Sequence, residues 1–341
     1  MEKLKIGIIG GGRIGKVHAE SITNLVPNAT IVALADPFMN EKLENWAKEK
    51  GICETFKDPY DIINHKGIDA VLICSPTNTH TQLIQAAAKA KKHIFCEKPV
   101  DTDLKRIEET MKVVRENKVL FQIGFNRRFD HNHCAVRDAV IENKVGDVHI
   151  IKITSRDPEP PSAEYVKGSG GIFLDMMIHD FDMARYLSGS EVKEVYATGA
   201  VLIDPEIGKA GDVDTAIVVL TMANGALAVI DNSRQAVYGY DQRTEVFGSK
   251  GCAKVENDTK SLIEVSTKNS VESQKPLYFF LDRYMDSYAN EIIDFINSVQ
   301  NGVQIKCGIE DAIRPVEIAL AASKSLKEHR PVLISEVSLS K

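Results

Sequence analysis

A glycine-rich stretch near the N-terminus has the spacing of a phosphate-binding loop. Gly10-Gly11-Gly12-Arg13-Ile14-Gly15 matches G-x-G-x-x-G, follows an apolar run and precedes a helical pattern. Glycines at 10, 12 and 15 would let the backbone approach a diphosphate, which would meet the free N–H groups of a helix N-terminus. Three adjacent glycines could also form a simple turn. The strand-loop-helix context favours a dinucleotide site.

Asp36 ends the next predicted strand, 21 residues after Gly15 (36 − 15). A carboxylate at this position accepts hydrogen bonds from the adenosine ribose and repels a 2′-phosphate. The sequence therefore predicts NAD rather than NADP as the cofactor. Arg13 instead favours binding of NADP, because a guanidinium there could approach a 2′-phosphate. Some tolerance of NADP is left open for that reason.

Lys98 follows a predicted parallel strand, in the stretch Phe95-Cys96-Glu97-Lys98-Pro99. Ligands of open α/β sheets bind outside the carboxyl ends of the strands. We therefore expect Lys98 at a ligand site, although an ordinary solvated lysine is the alternative. A proline next to it would fix the backbone, and a cis bond there would be a functional feature.

Asp175 and His179 are four residues apart in the predicted helix 174–187, so both should lie on one helical face with Ile178. A carboxylate can hold an imidazole in one tautomer, and the imidazole can then act as a general base near neutral pH. The alternative is a core histidine beside a helix-start aspartate. The dinucleotide loop upstream favours catalysis.

Three further clusters could bind ligands. Asp130-His131-Asn132-His133-Cys134 contains metal-ligand residue types, but it lacks a distant partner set, and we expect no metal. Arg127-Arg128 follows the last strand of the alternating region and could reach a substrate, although adjacent arginines are often solvated or paired. Tyr238-Gly239-Tyr240-Asp241 follows a predicted hairpin, where the hydroxyls could face a polar ligand.

Two different patterns of elements must position these residues. In the first third, apolar runs alternate with helical patterns, which predicts right-handed βαβ crossovers and a parallel sheet. From about residue 145 to 267 most of the chain reads as consecutive strands, with a hairpin at Ala223-Asn224-Gly225 and one helix. We therefore predict an α/β fold with two domains, 1–124 and 125–341. The second would be an α+β domain with a large open, mostly antiparallel sheet.

Length and composition agree with this division. The chain has 341 residues, 43% of them hydrophobic, and a net charge of −6, which are ordinary values for a globular protein of two domains. A mildly acidic chain without a basic run argues against binding to nucleic acid or to an anionic membrane. The six scattered cysteines fit buried thiols in a reducing compartment, so we expect a cytoplasmic protein.

The motifs GGGRIG with Asp36, FCEKP, GFNRRFD and GGIFLDMMIHDFDMARYL occur in this order. Together they resemble the glucose-fructose oxidoreductase, inositol dehydrogenase and rhizopine-catabolism family over essentially the whole chain. Within that family, SRDPEPP before the GGIFLDMMIHD stretch resembles the bacterial inositol 2-dehydrogenases. The resemblance implies a Rossmann cofactor domain, followed by a domain whose open sheet builds homo-oligomers, commonly tetramers.

The resemblance also implies roles for individual residues. Lys98 would contact the substrate hydroxyl and the nicotinamide ribose, His179 would be the general base, and Asp175 would orient it. Further residues would line the polyol pocket or wrap the cofactor, and these are less specific. For the pocket they are Arg127, Arg128, Asp157, Tyr238 and Tyr240, and for the cofactor Ser75, Thr77, Asn78, His80 and Glu97.

The expected activity is oxidation of a cyclitol, most of all myo-inositol to 2-keto-myo-inositol, with hydride transfer to NAD. One alternative is a scyllo-inositol, aldose or other sugar dehydrogenase of the same family, because Asp157 stands where some inositol dehydrogenases carry asparagine. An alternative of another class is a dinucleotide-binding regulator without catalysis.

Overall fold

Strands and helices alternate through the first 124 residues, as the sequence predicts. The computed structural model describes residues 2–339. The elements of this part are β1 (Leu4–Ile9), α1 (Arg13–Leu25), β2 (Ala29–Ala35), α2 (Glu41–Glu49), β3 (Glu54–Phe56), α3 (Pro59–Ile63), β4 (Ala70–Ile73), α4 (His80–Lys89), β5 (His93–Glu97), α5 (Leu104–Asn117) and β6 (Phe121–Gly124). The six strands form a parallel sheet in the order β3-β2-β1-β4-β5-β6. This is the doubly wound order that right-handed crossovers produce.

A seven-stranded sheet dominates the rest of the chain. The elements are α6 (His131–Ile141), β7 (Val148–Arg156), α7 (Ala163–Ser169), α8 (Gly171–Asp175), α9 (Ile178–Ser188), β8 (Val192–Ala200), α10 (Pro205–Lys209), β9 (Thr215–Met222), β10 (Leu227–Ser233), β11 (Asp241–Gly248), β12 (Gly251–Val255), β13 (Glu264–Ser266), β14 (Val271–Ser273), α11 (Phe280–Asn301), α12 (Ile309–Glu328) and β15 (Val332–Leu333). The strand order is β12-β11-β7-β10-β9-β8-β15. Neighbouring strands are antiparallel except β7 and β10, which are parallel. The mixed sheet and the hairpin between β9 and β10 agree with the predicted fold class.

The helix predicted over 174–187 is two helices in the structure. Asp175 is the last residue of α8, and His179 lies in the first turn of α9. At the break, the N–H of Met177 donates to the carbonyl of Ile172, five residues earlier, at 2.8 Å. Such a π-type turn widens the helix locally, and hydrophobic periodicity does not reveal it. The prediction of one continuous helix with both residues on one face is therefore wrong.

The described chain divides into two compact units, and the C-terminal segment is split between them. The first unit is the chain up to Phe129 together with Met285–Arg314, and the second is Asp130–Tyr284 with the chain from Pro315 onwards. The division expected between residues 124 and 125 lies near the first of these boundaries. The structure differs from that expectation at Met285–Arg314, which packs with the first unit.

Buried side chains of α11 explain why this segment belongs to the first unit. Ile292, Phe295 and Ile296 are at most 1% exposed and join the core that Leu34 and Phe95 form under the parallel sheet. An amphipathic helix pattern predicts that such residues are buried but not which sheet they cover. Among residues 2–339, none of the helices is both long enough and apolar enough to span a bilayer.

Candidate active site

Two glycines of the loop are packed too closely to carry a side chain, and a third glycine borders open space. Gly10 has φ +107°, and a Cβ there would lie 2.7 Å from the carbonyl carbon of Cys74. A Cβ at Gly15 would lie 1.9 Å from the carbonyl oxygen of Gly10, so both positions exclude a side chain. At Gly12, the residue before α1, a Cβ would meet nothing within 4 Å. The residue that caps α1 therefore borders open space, which fits the diphosphate of a dinucleotide at the helix N-terminus.

Asp36 fixes this loop from the end of β2. Its Oδ2 accepts the backbone N–H of Gly11 at 2.7 Å, and its Oδ1 accepts the backbone N–H of Phe38 at 2.8 Å. Arg13 is exposed at the start of α1, and Ile14 packs against the core beneath the loop. The structure thus brings together the residues of the predicted dinucleotide motif after β1 and β2.

The loop after β4 carries Ser75, Thr77 and Asn78, all of which are at least partly exposed. His80, at the start of α4, is 1% exposed, and its two ring nitrogens lie 2.7 Å from the carbonyl oxygen of Ser75 and 2.8 Å from that of Pro99. Burial lowers the pKa of His80, and the two carbonyls act in the opposite direction. The imidazole joins two loops inside the unit and does not face open space. We therefore assign His80 to support of the loops, not to direct cofactor contact.

Glu97 and Lys98 stand at the end of β5, and the bond between Lys98 and Pro99 is cis. The carboxylate of Glu97 binds His18 Nε2 through Oε1 at 2.7 Å and accepts the backbone N–H of Lys98 through Oε2 at 3.3 Å. The backbone turn that presents the lysine is therefore held by a buried histidine through one carboxylate. Because β1, β2, β4 and β5 are parallel, all cofactor candidates lie at the carboxyl ends of neighbouring strands.

Glu291 of α11 lies close to this pair. One ligand atom each of His18, Glu97 and Glu291 lies within 4.8 Å of the others, a grouping that could hold a metal ion. The 2.7 Å separation of His18 from Glu97 is that of a hydrogen bond, however, and is shorter than the spacing expected of two ligands on one ion. Burial raises the pKa of Glu291, and the charge of Glu97 adds to the effect. We interpret His18 and Glu97 as a hydrogen-bonded pair beside the buried carboxyl group of Glu291, whose two oxygens have no hydrogen-bond partner among residues 2–339.

In the second unit, Asp175 is held through both carboxylate oxygens. Oδ1 accepts a hydrogen bond from the hydroxyl of Tyr165 at 2.9 Å, and Oδ2 accepts one from Nη1 of Arg234 at 3.0 Å. The same Nη1 lies 3.8 Å from Oδ2 of Asp157. Burial raises the pKa of Tyr165, and the negative charge of Asp175 raises it further, so the phenol remains a donor. His179 is half-buried.

The remaining candidates are mostly engaged with neighbours in their own unit. Arg128 is buried and donates to Asp311 at 2.7 Å, and Arg127 is 4% exposed. Tyr238 donates its hydroxyl to Asp241 at 2.5 Å, and Tyr240 packs its ring against that of Tyr284, 6.0 Å away. Arg128 thus follows the paired alternative. The side chain of Tyr238 is 38% exposed and is more accessible than that of Tyr240, which is buried.

Two residues at Asp175 were missed by sequence reasoning. Arg234 directly follows β10, and a charged residue at a strand end is a signal that could have identified it. Tyr165 lies in α7, a helix of seven residues that is too short to show a hydrophobic period. These two side chains hold the carboxylate that the sequence assigned to catalysis.

Comparison with known proteins identifies the family. Residues 4–125 match the model of the oxidoreductase family with an NAD-binding Rossmann fold, and residues 133–254 match the GFO/IDH/MocA C-terminal domain. An uncharacterized oxidoreductase of Bacillus subtilis, YrbE, is 49% identical, over 98% of this chain and 97% of its own. The myo-inositol 2-dehydrogenase of Thermotoga maritima is 48% identical, over 98% of this chain and 99% of its own.

A solved structure adds a liganded neighbour. The scyllo-inositol dehydrogenase of Lactobacillus casei, with bound NAD(H) and scyllo-inositol, has a TM-score of 0.91 at 33% identity. The match covers 98% of this chain and all of that one. The family resemblance, the fold class and the NAD cofactor expected from the sequence are confirmed. The chain belongs to the GFO/IDH/MocA family of oxidoreductases, whose N-terminal part is an NAD-binding Rossmann fold.

Proposed function

We propose that this oxidoreductase oxidises a ring secondary alcohol of a cyclitol, with myo-inositol as the substrate and 2-keto-myo-inositol as the product. The observation that carries the proposal is the two-sided support of Asp175, which fits a carboxylate that must stay ionised beside a base. The relative named myo-inositol 2-dehydrogenase, which matches nearly the whole chain, supports the choice of substrate.

The cofactor would lie on the first unit. The open space at Gly12, the carboxylate of Asp36 and the exposed side chains of the Ser75 loop fit a dinucleotide. When bound, NAD supplies the nicotinamide ring that accepts hydride from the reacting carbon. Arg13, exposed beside the loop, could also tolerate a 2′-phosphate.

Three residues of the chain carry the proton chemistry in this proposal. His179 accepts the proton of the reacting hydroxyl, and Asp175 stabilises the imidazolium that results. The ammonium of Lys98 donates a hydrogen bond to the substrate oxygen, where negative charge develops. Asp157 and Tyr238 would bind further hydroxyls of the polyol. Arg127 and Tyr240 are weaker members of the same set.

The test is a comparison of kcat/KM for myo-inositol, scyllo-inositol and glucose with NAD. We expect the highest value for myo-inositol, and a higher value for glucose than for either inositol would refute a cyclitol substrate. The liganded neighbour from Lactobacillus casei makes scyllo-inositol the second candidate. Loss of the base should lower turnover by about 10²–10⁴-fold. Lys98→Ala and His179→Ala should therefore lose turnover but still bind NADH. His131→Ala changes an exposed histidine and should keep full turnover.

A regulator without catalysis would bind NADH but turn over none of the three substrates. We also propose that the chain works in the cytoplasm, since its six cysteines are scattered along the sequence and form no C-x-x-C pair, as is typical of proteins in a reducing compartment. The third part of the proposal is that the chain forms a homo-oligomer, for which we expect a tetramer. Its support is a row of exposed apolar residues on the outer face of the seven-stranded sheet, which are Ile150, Tyr196, Ile217, Val219, Leu227 and Phe247.

A further inference from the structure

Arg234 is a buried cation that reaches both candidate carboxylates of the second unit. Its Nη1 lies 3.0 Å from Oδ2 of Asp175 and 3.8 Å from Oδ2 of Asp157. The side chain is 3% exposed, and its Nε and Nη2 have no hydrogen-bond partner within residues 2–339. Removing a guanidinium from water is costly unless carboxylates compensate. The contact with Asp175 is therefore a strong electrostatic constraint on that carboxylate.

The sheet fixes where this cation stands. β7 and β10 are parallel, with Ser233 in register with Arg156, so Asp157 and Arg234 follow the same ends of adjacent strands. The backbone N–H of Asp157 donates to the carbonyl of Ser233 at 3.0 Å, and that of Arg234 donates to the carbonyl of Asp214 at 2.8 Å. The guanidinium thus extends from a backbone that is hydrogen-bonded on both sides.

The charged groups around Asp175 come from several elements. Tyr165 of α7 donates to it, and Asp157 lies across Arg234. Asp212, in the loop before β9, accepts the backbone N–H of Ile172 at the start of α8. Burial raises the pKa of Asp212, whereas its backbone bonds and Arg234 act in the opposite direction. His179 follows in α9. Arg234 thus brings positive charge to a group of three carboxylates.

We infer that Arg234 is a positioning residue for the general base: it holds Asp175 ionised and in one orientation, so that the imidazole of His179 is available at neutral pH. The inference rests on the proposed function, in which Asp175 and His179 act as a pair. Two coupled groups take up protons as a unit. Without the guanidinium, the pair binds a proton more readily, because positive charge no longer opposes protonation.

The experiment is the pH profile of kcat/KM for Arg234 variants. Arg234→Met removes the charge, Arg234→Gln removes it but keeps a donor for Asp175, and Arg234→Lys keeps the charge. A charge within 4–6 Å moves a titration by about one pH unit or more. In Arg234→Met and Arg234→Gln, the acidic limb should therefore move to higher pH by about one unit, with roughly tenfold lower activity below the limb. Arg234→Lys should keep the wild-type limb, and all three variants should keep the wild-type affinity for NADH.

The control is Arg283→Gln, which removes another buried guanidinium of the same unit, one that pairs with Asp130. It should lose stability without moving the acidic limb. A wild-type limb in Arg234→Gln, or a shifted limb in Arg234→Lys, would overturn the inference. Full turnover in His179→Ala would instead overturn the proposed function, so the two failures are distinguishable.

Discussion

The backbone N–H of Gly11 donates a hydrogen bond to Oδ2 of Asp36 at 2.7 Å. The glycine loop after β1 and the acidic residue after β2 are therefore joined by a hydrogen bond and do not act as two separate cofactor contacts. The second oxygen of the same carboxylate accepts the N–H of Phe38. Loss of the carboxylate would release the loop and remove the ribose acceptor together.

We predict that Asp36→Asn weakens NADH binding about tenfold or more, since a hydrogen bond to a charged group contributes about 1.5–3 kcal/mol. It should also narrow the preference for NADH over NADPH, because the repulsion of a 2′-phosphate is lost. Fluorescence titration with NADH and NADPH measures both effects. Asp103→Asn is the matched control: this carboxylate caps α5 through the N–H of Lys105 and should leave NADH affinity unchanged. If Asp36→Asn keeps the wild-type ratio of NADH affinity to NADPH affinity, the carboxylate does not select against the 2′-phosphate.

The sequence predicted the parts of the site that depend on local geometry. A glycine loop between a strand and a helix, an acid at the next strand end and a proline after Lys98 follow from neighbouring residues along the chain. The same is true of the β9–β10 hairpin, where Gly225 adopts φ +91°. In each case the motif and the element that carries it are adjacent in sequence.

The missed features depend on contacts between distant segments. Arg234 reaches Asp175 from 59 positions away, and no local pattern pairs them. Glu291 enters the core of the first unit from α11, although sequence order assigned that helix to the second domain. The break between α8 and α9 is a backbone feature within one apolar stretch, so its hydrophobic pattern is that of an unbroken helix.

Glu291 should make the stability of the protein depend on pH. Burial, and then the charge of Glu97, raises its pKa in the folded chain. A raised folded pKa means that the stabilising contribution is complete below the pKa of the unfolded chain and is lost as the pH rises through the folded value. Glu291→Gln cannot ionise, so its melting temperature should fall less than that of the wild type between about pH 5 and pH 9. Differential scanning fluorimetry across that range measures the difference.

The control for this comparison is Glu310→Gln, because Glu310 is 60% exposed and should follow the wild-type curve. Parallel curves for the wild type and Glu291→Gln would mean that Glu291 is ionised in the folded chain. That result would favour a bound cation at His18, Glu97 and Glu291.

The outer face of the seven-stranded sheet should mediate self-association. Val219 is 39% exposed and stands opposite Tyr196 on one side and Val229 on the other, in the middle of an apolar row. A lysine there would put a charge into an interface between two copies, where it would be desolvated without a partner. We expect Val219→Lys to lower the mass observed by size-exclusion chromatography with light scattering. Val303→Lys, at another exposed valine, should not change it.

Asp130 should be a structural residue and not a metal ligand. Its carboxylate binds His133 Nδ1 at 2.7 Å and accepts Nη1 of Arg283 at 2.6 Å. Burial alone would raise the pKa of Asp130, but the hydrogen bonds from His133 and Arg283 outweigh it and hold the pKa well below the usual range. A lowered pKa gives stability that is present above the unfolded value and lost as the pH falls through the folded one.

We predict that Asp130→Asn lowers the free energy of unfolding by about 3 kcal/mol at pH 7. The buried guanidinium of Arg283 then loses its buried carboxylate partner and keeps the partly exposed Asp258, 3.0 Å from its Nη1. Urea titration followed by circular dichroism measures the loss. The loss should shrink at acidic pH, where the wild-type carboxylate begins to take up its proton. Asp138→Asn changes an exposed aspartate of α6, the helix that Asp130 caps, and should cost far less. A metal role for Asp130 would instead make wild-type stability fall on addition of a chelator, with no such fall in Asp130→Asn.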